Sequence, residues 1–512
     1  MDAPVPQNLS VEAGMLLAGN TALENDDSAC ETTATSPSPS ETTYKPPLHQ
    51  PYIWMLICEH ADLSTCKQIR LVNRTADTPA AKQLFQEVFL MALPDCFEKL
   101  SYIASDAVVS KYVKKIVYMT DLLNPEYCDF AKWNQDAFRN EDVAKYRRYH
   151  DLFCMQQALL RGNSDISSLR SSMPLLKNLV SIDIISLGNL CQRFVHGPVP
   201  LAGRLFRETS ISPTKSLLQF TISPDTAKPL EAYIRACSTK STGIRNLTVD
   251  HCPWGFWQAS RPSPQTYRPA TFPRVRPLLG NAFLNLSSLT MTSYMGSMRI
   301  AKQGHTPIGE LVTFLKAMPN LQHLSLKCLP LNRIYSNWSQ AADTNLTGVF
   351  EELTWLKLKN LTLIQCFSER SAFVQFMERH STTLSDLHLD QFTLTEKPAP
   401  LSIVKKSLFG VNYWGKYATW PALPETSWEL AIRCLVRVLK LRNANLHNVD
   451  DQHLTRVSGS SIKARFISGE TEANRWRFCG QLTRYLLSRG EGLHFPVYGR
   501  RQIAGCDCTI CR

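Results

Sequence analysis

The residues whose spacing comes closest to that of a metal site are Cys506, Cys508 and Cys511, in the segment CDCTIC. A structural zinc ion takes four ligands, usually cysteine thiolates and histidine imidazoles. This segment supplies three thiols, and His494 is the only histidine nearby. We therefore predict an exposed tail that holds no metal, and we expect no cofactor.

Motifs that would mark an enzyme are missing from the sequence. It contains no G-x-x-x-x-G-K-[S/T] phosphate loop, no G-x-G-x-x-G, no H-E-x-x-H and no G-x-S-x-G nucleophile elbow. A catalytic constellation that only folding assembles would leave no such trace. We nevertheless expect a protein that is not itself an enzyme, because the repeated architecture described below mostly serves binding.

Basic and aromatic residues are interleaved from residue 401 onward, where 17 Lys and Arg stand against 8 Asp and Glu. Such a region could contact phosphates and stack on bases. The segment SWELAIRCLVRVLKL, however, also predicts an amphipathic helix with Leu430, Cys434 and Val438 on its apolar face. We favour this second interpretation, a basic C-terminal cap and tail over 401–512, and nucleic acid is not the expected partner. The aromatic residues concerned are Tyr413, Trp414, Tyr417, Trp420, Trp428, Trp476 and Phe478.

The 16 cysteines are otherwise scattered singly, which is typical of a reduced compartment. The chain starts without the basic and then apolar plan of a secretory signal, and apolar runs such as 53–58 are far shorter than a membrane helix. We expect a cytoplasmic or nuclear protein, or one found in both, without a membrane partner. Residues 1–48 are acidic and rich in Ser, Thr and Pro, so we predict a disordered tail.

The sequence also predicts the strands and helices that could position a binding surface. With Φ for an apolar residue, the pattern Φ-x-x-Φ-x-Φ recurs eight times, and segments such as TPIGELVTFLKAM and KPLEAYIRAC between the copies have helical periodicity. Strands alternating with helices predict an α/β fold with parallel strands. We interpret residues 91–400 as an irregular, leucine-rich-repeat-like solenoid, with a compact α/β domain as the alternative. The copies start at Val113, Leu179, Leu217, Ile244, Leu286, Leu321, Leu358 and Leu384.

The segment before this repeat predicts short helices. Asp62 can cap a helix that begins at Leu63, and Thr78 followed by Pro79 is a start signal for the next helix. In that next helix Ala81, Leu84, Phe85 and Val88 would share one face. Residues 49–90 are therefore expected to form a helical module.

This helical stretch resembles an F-box. The resemblance is carried by Pro51 followed by IWMLICEH, DLSTCKQIRLVNR and LFQEVFL, and most specifically by IRLVNR with LFQEVFL at the right distance. It continues through KLSYIASDAVVSKYVKKIVYMT, so the chain is similar to the large group of filamentous-fungal F-box proteins with leucine-rich-repeat-like C-terminal regions.

The resemblance implies a substrate-recognition subunit of a cullin-type ubiquitin ligase that is not catalytic itself. The helices would bind a Skp-type adaptor, and through it the cullin ligase core, by inserting apolar residues into a groove. The matching adaptor-binding positions are Pro51, Ile57, Leu63, Ile69, Leu71 and Val72.

The repeat region would bind an unknown protein substrate on the concave face, where the residues between the Φ positions point. This implies the candidates Arg245, Thr248, Asp250, His323, Ser325, Lys327, Asn360, Thr362, His388 and Asp390. Two alternatives stay open: a scaffold of the same fold without ligase function, and a nucleic-acid-associated protein that uses the basic C-terminal region.

Overall fold

The computed structural model describes twelve stretches of the chain, and every structural statement below concerns these residues. They are 51–72, 74–136, 143–186, 218–219, 227–238, 243–257, 271–295, 307–330, 346–395, 427–447, 450–451 and 482–489. The predicted tail 1–48 and the cysteines of CDCTIC lie outside them. So do the aromatic residues of the basic C-terminal region, except Trp428. Those predictions therefore stay untested.

Fifteen named helices are found in the described stretches. They are α1 (Pro51–His60), α2 (Leu63–Val72), α3 (Arg74–Leu84), α4 (Pro94–Ser105), α5 (Phe130–Asp136), α6 (Val143–Gly162), α7 (Ser164–Ser172), α8 (Lys228–Cys237), α9 (Trp254–Trp257), α10 (Thr271–Val275), α11 (Leu279–Phe283), α12 (Pro307–Lys316), α13 (Thr347–Glu352), α14 (Arg370–Arg379) and α15 (Ser427–Val438). Short 3-10 turns lie at Val109–Lys111, Pro125–Cys128, Met173–Leu175 and Arg276–Leu278.

Most of the strands form one sheet. The strands are β1 (Glu87–Leu90), β2 (Lys115–Met119), β3 (Leu122–Leu123), β4 (Ser181–Ile185), β5 (Leu218–Gln219), β6 (Asn246–Cys252), β7 (Ser288–Met295), β8 (His323–Pro330), β9 (Asn360–Ile364), β10 (Phe367–Glu369), β11 (Asp386–Asp390), β12 (Thr393–Thr395), β13 (Asn443–His447) and β14 (Asp450–Asp451). The main sheet has nine strands in the order β1-β2-β4-β6-β7-β8-β9-β11-β13, all parallel. The class is therefore α/β with a large parallel sheet, as predicted.

Strands join this sheet in the order in which they occur along the chain, and at least one helix separates each strand from the next. A parallel connection needs such a crossover, because the chain must return to the same end of the sheet. Neighbouring helices pack on each other in turn, including α4 with α7, α7 with α8, and α13 with α14. The helices thus form a layer beside the sheet.

Alternation along each strand decides which side chains enter the core. In β9 and β11 every second residue is buried, and the same alternation holds in β6 as far as Val249. Leu247, Leu324 and Leu361 occupy one register position and lie in the main core with the helix residues. The predicted apolar face of α8 is confirmed, since Leu230, Tyr233, Ile234 and Cys237 are buried.

Seven of the eight predicted strand segments lie in the main sheet, as β2, β4, β6, β7, β8, β9 and β11. The segment that starts at Leu217 does not. Its residues Leu218 and Gln219 form β5, which pairs antiparallel with β3 through Leu123 and Leu122. A short apolar segment fits any neighbouring strand with an open ladder, so the pattern alone did not fix its partner.

Helix α15 corrects a second prediction. Leu430 and Val438 are only partly buried and Cys434 is exposed, whereas Ile432, Leu435, Val436 and Leu439 are buried. These four residues are spaced i, i+3, i+4 and i+7, so they also form a helical stripe, and their larger side chains remove more apolar surface from water. The helix leads into β13, so the main sheet continues beyond residue 400.

Candidate interaction surfaces

Helices α1 to α3 have a small core of their own. Cys58, Cys66 and Ala80 are fully buried together, and Ile69 packs against them. Asp62 caps α2 as predicted, since its Oδ1 accepts a hydrogen bond from the backbone N–H of Thr65 at 2.7 Å. The module is therefore held by small side chains, and its larger apolar residues are left for other contacts.

An ion pair ties α2 to α3. The guanidinium Nε of Arg70 lies 2.6 Å from Oδ1 of Asp77, and the same guanidinium lies 5.9 Å from the ring centre of Phe85. A cation over an aromatic face at this distance is attracted to the ring. Arg70 thus links the end of α2 to α3 and to Phe85, which follows α3.

Large apolar side chains remain exposed on the module. Leu71 and Val72, at the end of α2, are 76% and 78% exposed, and Ile57 in α1 is 39% exposed. These are three of the predicted adaptor-binding residues. Ile69, by contrast, is partly buried and packs against the small core of the module. Pro51 and Leu63 begin α1 and α2, and their side chains lie outside the described part.

The third helix differs from its prediction. It spans Arg74–Leu84, so it begins before Thr78 and carries Pro79 in its interior. Val88 lies in β1, opposite Ile116 of β2, and not on a helix face. Val88 and Leu90 also alternate with the exposed Glu87, so a period of two competes with the helical period here, and pairing with β2 decides between them.

The second surface is the side of the main sheet whose residues alternate with the buried ones; we call it the open face. From β6 onward it carries polar side chains in two aligned rows. The first row is Asn246, Ser288, His323, Asn360, Asp386 and Asn443, and the second is Thr248, Thr290, Ser325, Thr362, His388 and Asn445. Towards β1 the face changes character, because Val117, Met119 and Asp183 are buried there.

A hydrogen-bonded chain crosses four strands in the first row. In the amide orientation that satisfies both neighbours, the oxygen of Asn360 accepts from Nδ1 of His323 at 3.2 Å and its nitrogen donates to Oδ2 of Asp386 at 3.1 Å. Asp386 also accepts from the hydroxyl of Ser385 and from the amide of Asn443. The hydrogen bonds from Ser385 and Asn443 lower the pKa of Asp386 below its usual value. The carboxylate is thus fixed and charged.

A third row of the open face contains an imidazole that lies against a carboxylate. Nδ1 of His447 lies 2.7 Å from Oδ1 of Asp390, and Lys327 occupies the aligned position two strands away. Asp250 follows the buried Val249 in β6, where the register with β7 shifts. Nine of the ten predicted substrate-binding residues therefore lie in β6, β8, β9 or β11 at alternating positions of this face.

Arg245 is the exception among the predicted residues. It precedes β6, and its backbone pairs with Val180 and Ser287 at the point where the strands begin. Sequence reasoning also missed polar residues of this face, among them Asp386, Asn443 and His447. The signal for β13 was present, since Leu441, Ala444 and Leu446 have the Φ-x-x-Φ-x-Φ spacing, but alanine made it weak.

Within the described stretches no group of three or more His, Cys, Asp or Glu could hold a metal ion. Among these residues no helix is both long and apolar enough to cross a membrane. No model of a protein family matches the chain, and no curated protein matches it in sequence. What the two surfaces bind must therefore be inferred from their own chemistry.

Proposed function

We propose that this protein is a non-catalytic substrate-recognition subunit of a cullin-type ubiquitin ligase. Helices α1 to α3 would bind a Skp-type adaptor in the manner of an F-box. The main sheet, in the manner of a leucine-rich-repeat-like solenoid, would present its open face to a protein substrate.

The observation that carries the proposal is the exposure of Leu71 and Val72. Two adjacent apolar side chains that stay in water cost free energy, whereas burial stabilises a complex by about 1.5–3 kcal/mol for each fully buried side chain. Both residues stand in the stretch that resembles an F-box. Because Cys58, Cys66 and Ala80 already hold the module together, Leu71 and Val72 are not needed for its core.

The open face supports the second half of the proposal. Its hydroxyl, amide, imidazole and carboxylate groups form a polar surface, and hydrogen bonds from such groups are a regular part of protein–protein interfaces. Several groups, including Asp386 and Asp390, are already held in place by neighbouring side chains. Such preorganised groups lose little entropy when a partner binds.

The test is a pull-down of the full chain with a purified Skp-type adaptor. The double substitution Leu71→Asp/Val72→Asp places two charges on the docking surface, so we expect adaptor affinity to fall by more than about a hundredfold, or about 3 kcal/mol. The matched control, Leu356→Asp/Val108→Asp, changes a leucine and a valine that are also exposed, at 82% and 58%. Adaptor binding by the control variant should equal that of the wild type.

Folding of each variant is checked by circular dichroism before binding is measured. A folded wild-type chain that fails to capture the adaptor would refute the ligase assignment and favour a scaffold. Equal losses in the two double variants would show that Leu71 and Val72 are not the docking residues.

A further inference from the structure

A single row of residues runs along the edge of the main sheet at which the strands begin. We call it the strand-start row. The carbonyl oxygen of every member except the last accepts two backbone N–H groups from the next strand, at 2.7–3.1 Å, so the row keeps one register throughout. Its members are Gln86, Lys114, Val180, Arg245, Ser287, Gln322, Lys359, Ser385 and Arg442.

Four members of the row carry positive charge and none carries negative charge. Lys114, Arg245, Lys359 and Arg442 are all exposed, and none forms an ion pair with a carboxylate of the described residues. Neighbouring strands are spaced by about 4.8 Å. The strand order therefore places the four cations about 10, 14 and 10 Å apart along a line of about 34 Å.

Carboxylates beside the row are already engaged. Glu87 pairs with Lys115, and Asp386 accepts hydrogen bonds from Ser385 and Asn443. Of the four cations, Arg442 is the one whose charge acts on Asp386, where it helps to lower the pKa of that carboxyl after the contributions of the two hydrogen bonds. The cations of the row are thus not neutralised by partners of their own.

We propose that the strand-start row binds an extended acidic segment of a partner protein. An extended chain advances about 3.3 Å per residue, so acidic residues three positions apart would meet cations about 10 Å apart. A nucleic acid strand carries a phosphate at a much shorter interval, about 3.4 Å of helix axis in duplex DNA. Four cations in about 34 Å match the sparser charge of a peptide. Between them, Ser287, Gln322 and Ser385 can hydrogen-bond to its backbone.

This inference gives the proposed function a substrate chemistry. It rests on the proposed function only in naming the acidic partner as a ligase substrate, and the binding itself requires no adaptor. Failure of adaptor capture and failure of acidic-peptide binding are therefore separate results.

The experiment measures fluorescence anisotropy of labelled peptides with the full chain at low and raised salt. The probe is a Ser/Gly peptide whose four glutamates are three, four and three positions apart, which matches the gaps of about 10, 14 and 10 Å between the cations. The reference peptide has glutamine at those positions. We expect the wild type to bind the glutamate peptide at least about tenfold more tightly, with affinity that falls as salt rises.

Two quadruple variants with the same change in net charge complete the test. The row variant is Lys114→Gln/Arg245→Gln/Lys359→Gln/Arg442→Gln, and the control is Lys67→Gln/Lys82→Gln/Arg161→Gln/Arg437→Gln, at exposed positions elsewhere. The row variant should lose at least about tenfold in affinity and the control less than about twofold. Circular dichroism confirms that both are folded.

Three results would overturn the inference. The first is no preference of the wild type for the glutamate peptide over the glutamine peptide. The second is an equal loss in the two quadruple variants, which would mean attraction to net charge alone. The third is tighter, row-dependent binding of an oligothymidylate than of the glutamate peptide, which would assign the row to nucleic acid.

Discussion

His380 is a buried histidine at the end of α14, and its neutral form matches the hydrogen-bonding groups around it. The residue is 1% exposed; its Nε2 accepts the backbone N–H of Trp355 at 2.9 Å, and its Nδ1 donates to the carbonyl of Phe376 at 2.7 Å. A protonated ring would present an N–H to the N–H of Trp355. Burial, opposed by the hydrogen bond to Phe376, lowers the pKa of His380 below its ordinary 6.5.

Acidification should therefore destabilise the fold. Below about pH 6.5 the unfolded chain binds a proton at this position while the folded chain does not, so stability falls as pH falls towards the lowered pKa. Between about pH 7.5 and about pH 5.5 the loss per histidine has an upper limit of about 1.4 kcal/mol, which applies when the folded ring stays neutral throughout. His251, whose pKa burial lowers to about 4, adds a loss of the same size.

Urea unfolding at these two pH values, followed by tryptophan fluorescence, measures the effect. His380→Gln keeps an amide that can bond to Trp355 and Phe376 but does not titrate, so its pH-dependent loss should be smaller than that of the wild type, by at most about 1.4 kcal/mol. The raised pKa of Asp165, caused mainly by burial, acts in the opposite direction and cancels in this comparison. The control His60→Gln changes an exposed histidine. A loss in His380→Gln as large as that of the wild type would refute the reasoning.

Two substitutions in the core test the packing itself. Phe314→Ala removes a fully buried ring whose centre lies 5.0 Å from that of Phe283 and 5.5 Å from that of Trp257. The substitution should lower the free energy of unfolding by about 3–5 kcal/mol. The control Leu356→Ala, at an exposed site, should change it little in the same urea titration. Glu231→Ala leaves three cations, with nitrogens 3.4–3.6 Å from this 2% exposed carboxylate, without their partner, and should cost about 1–3 kcal/mol because those cations keep contact with water. A cost below about 0.5 kcal/mol would show that the Glu231 cluster is not stabilising.

The strands of the main sheet could largely be predicted because seven of the nine carry the Φ-x-x-Φ-x-Φ spacing with its Φ residues buried. The first strand was missed although Phe85, Val88 and Leu90 have this spacing, since the same apolar residues also fit a helical face. The segment at Leu217 was placed wrongly because the pattern identifies a strand without identifying its neighbour. Existence of a strand is a local property, whereas its partner depends on the whole fold.

The open face shows the same division. Alternation alone identified residues such as Thr248, His323 and His388 as outward-facing. It could not show that Asn360 bridges His323 and Asp386, because that contact depends on the register between strands far apart in sequence. The strand-start row was missed for a related reason: its residues stand just before the strands, where neither helical nor strand periodicity predicts their direction.

Order along the chain also relates the two proposed surfaces. Helix α3 ends at Leu84 and β1 begins at Glu87, so the helical module connects directly to one edge of the main sheet. Each later repeat adds a strand farther from that edge, and β13 lies eight strand spacings, or about 38 Å, from β1. The strand-start row begins at Lys114, just before β2 and next to that edge, and ends at Arg442, just before β13, so most of its length lies on strands farther from β1. We therefore expect a peptide bound along the row and a protein bound to α2 to be held at the same time, with the number of strands between them setting their separation.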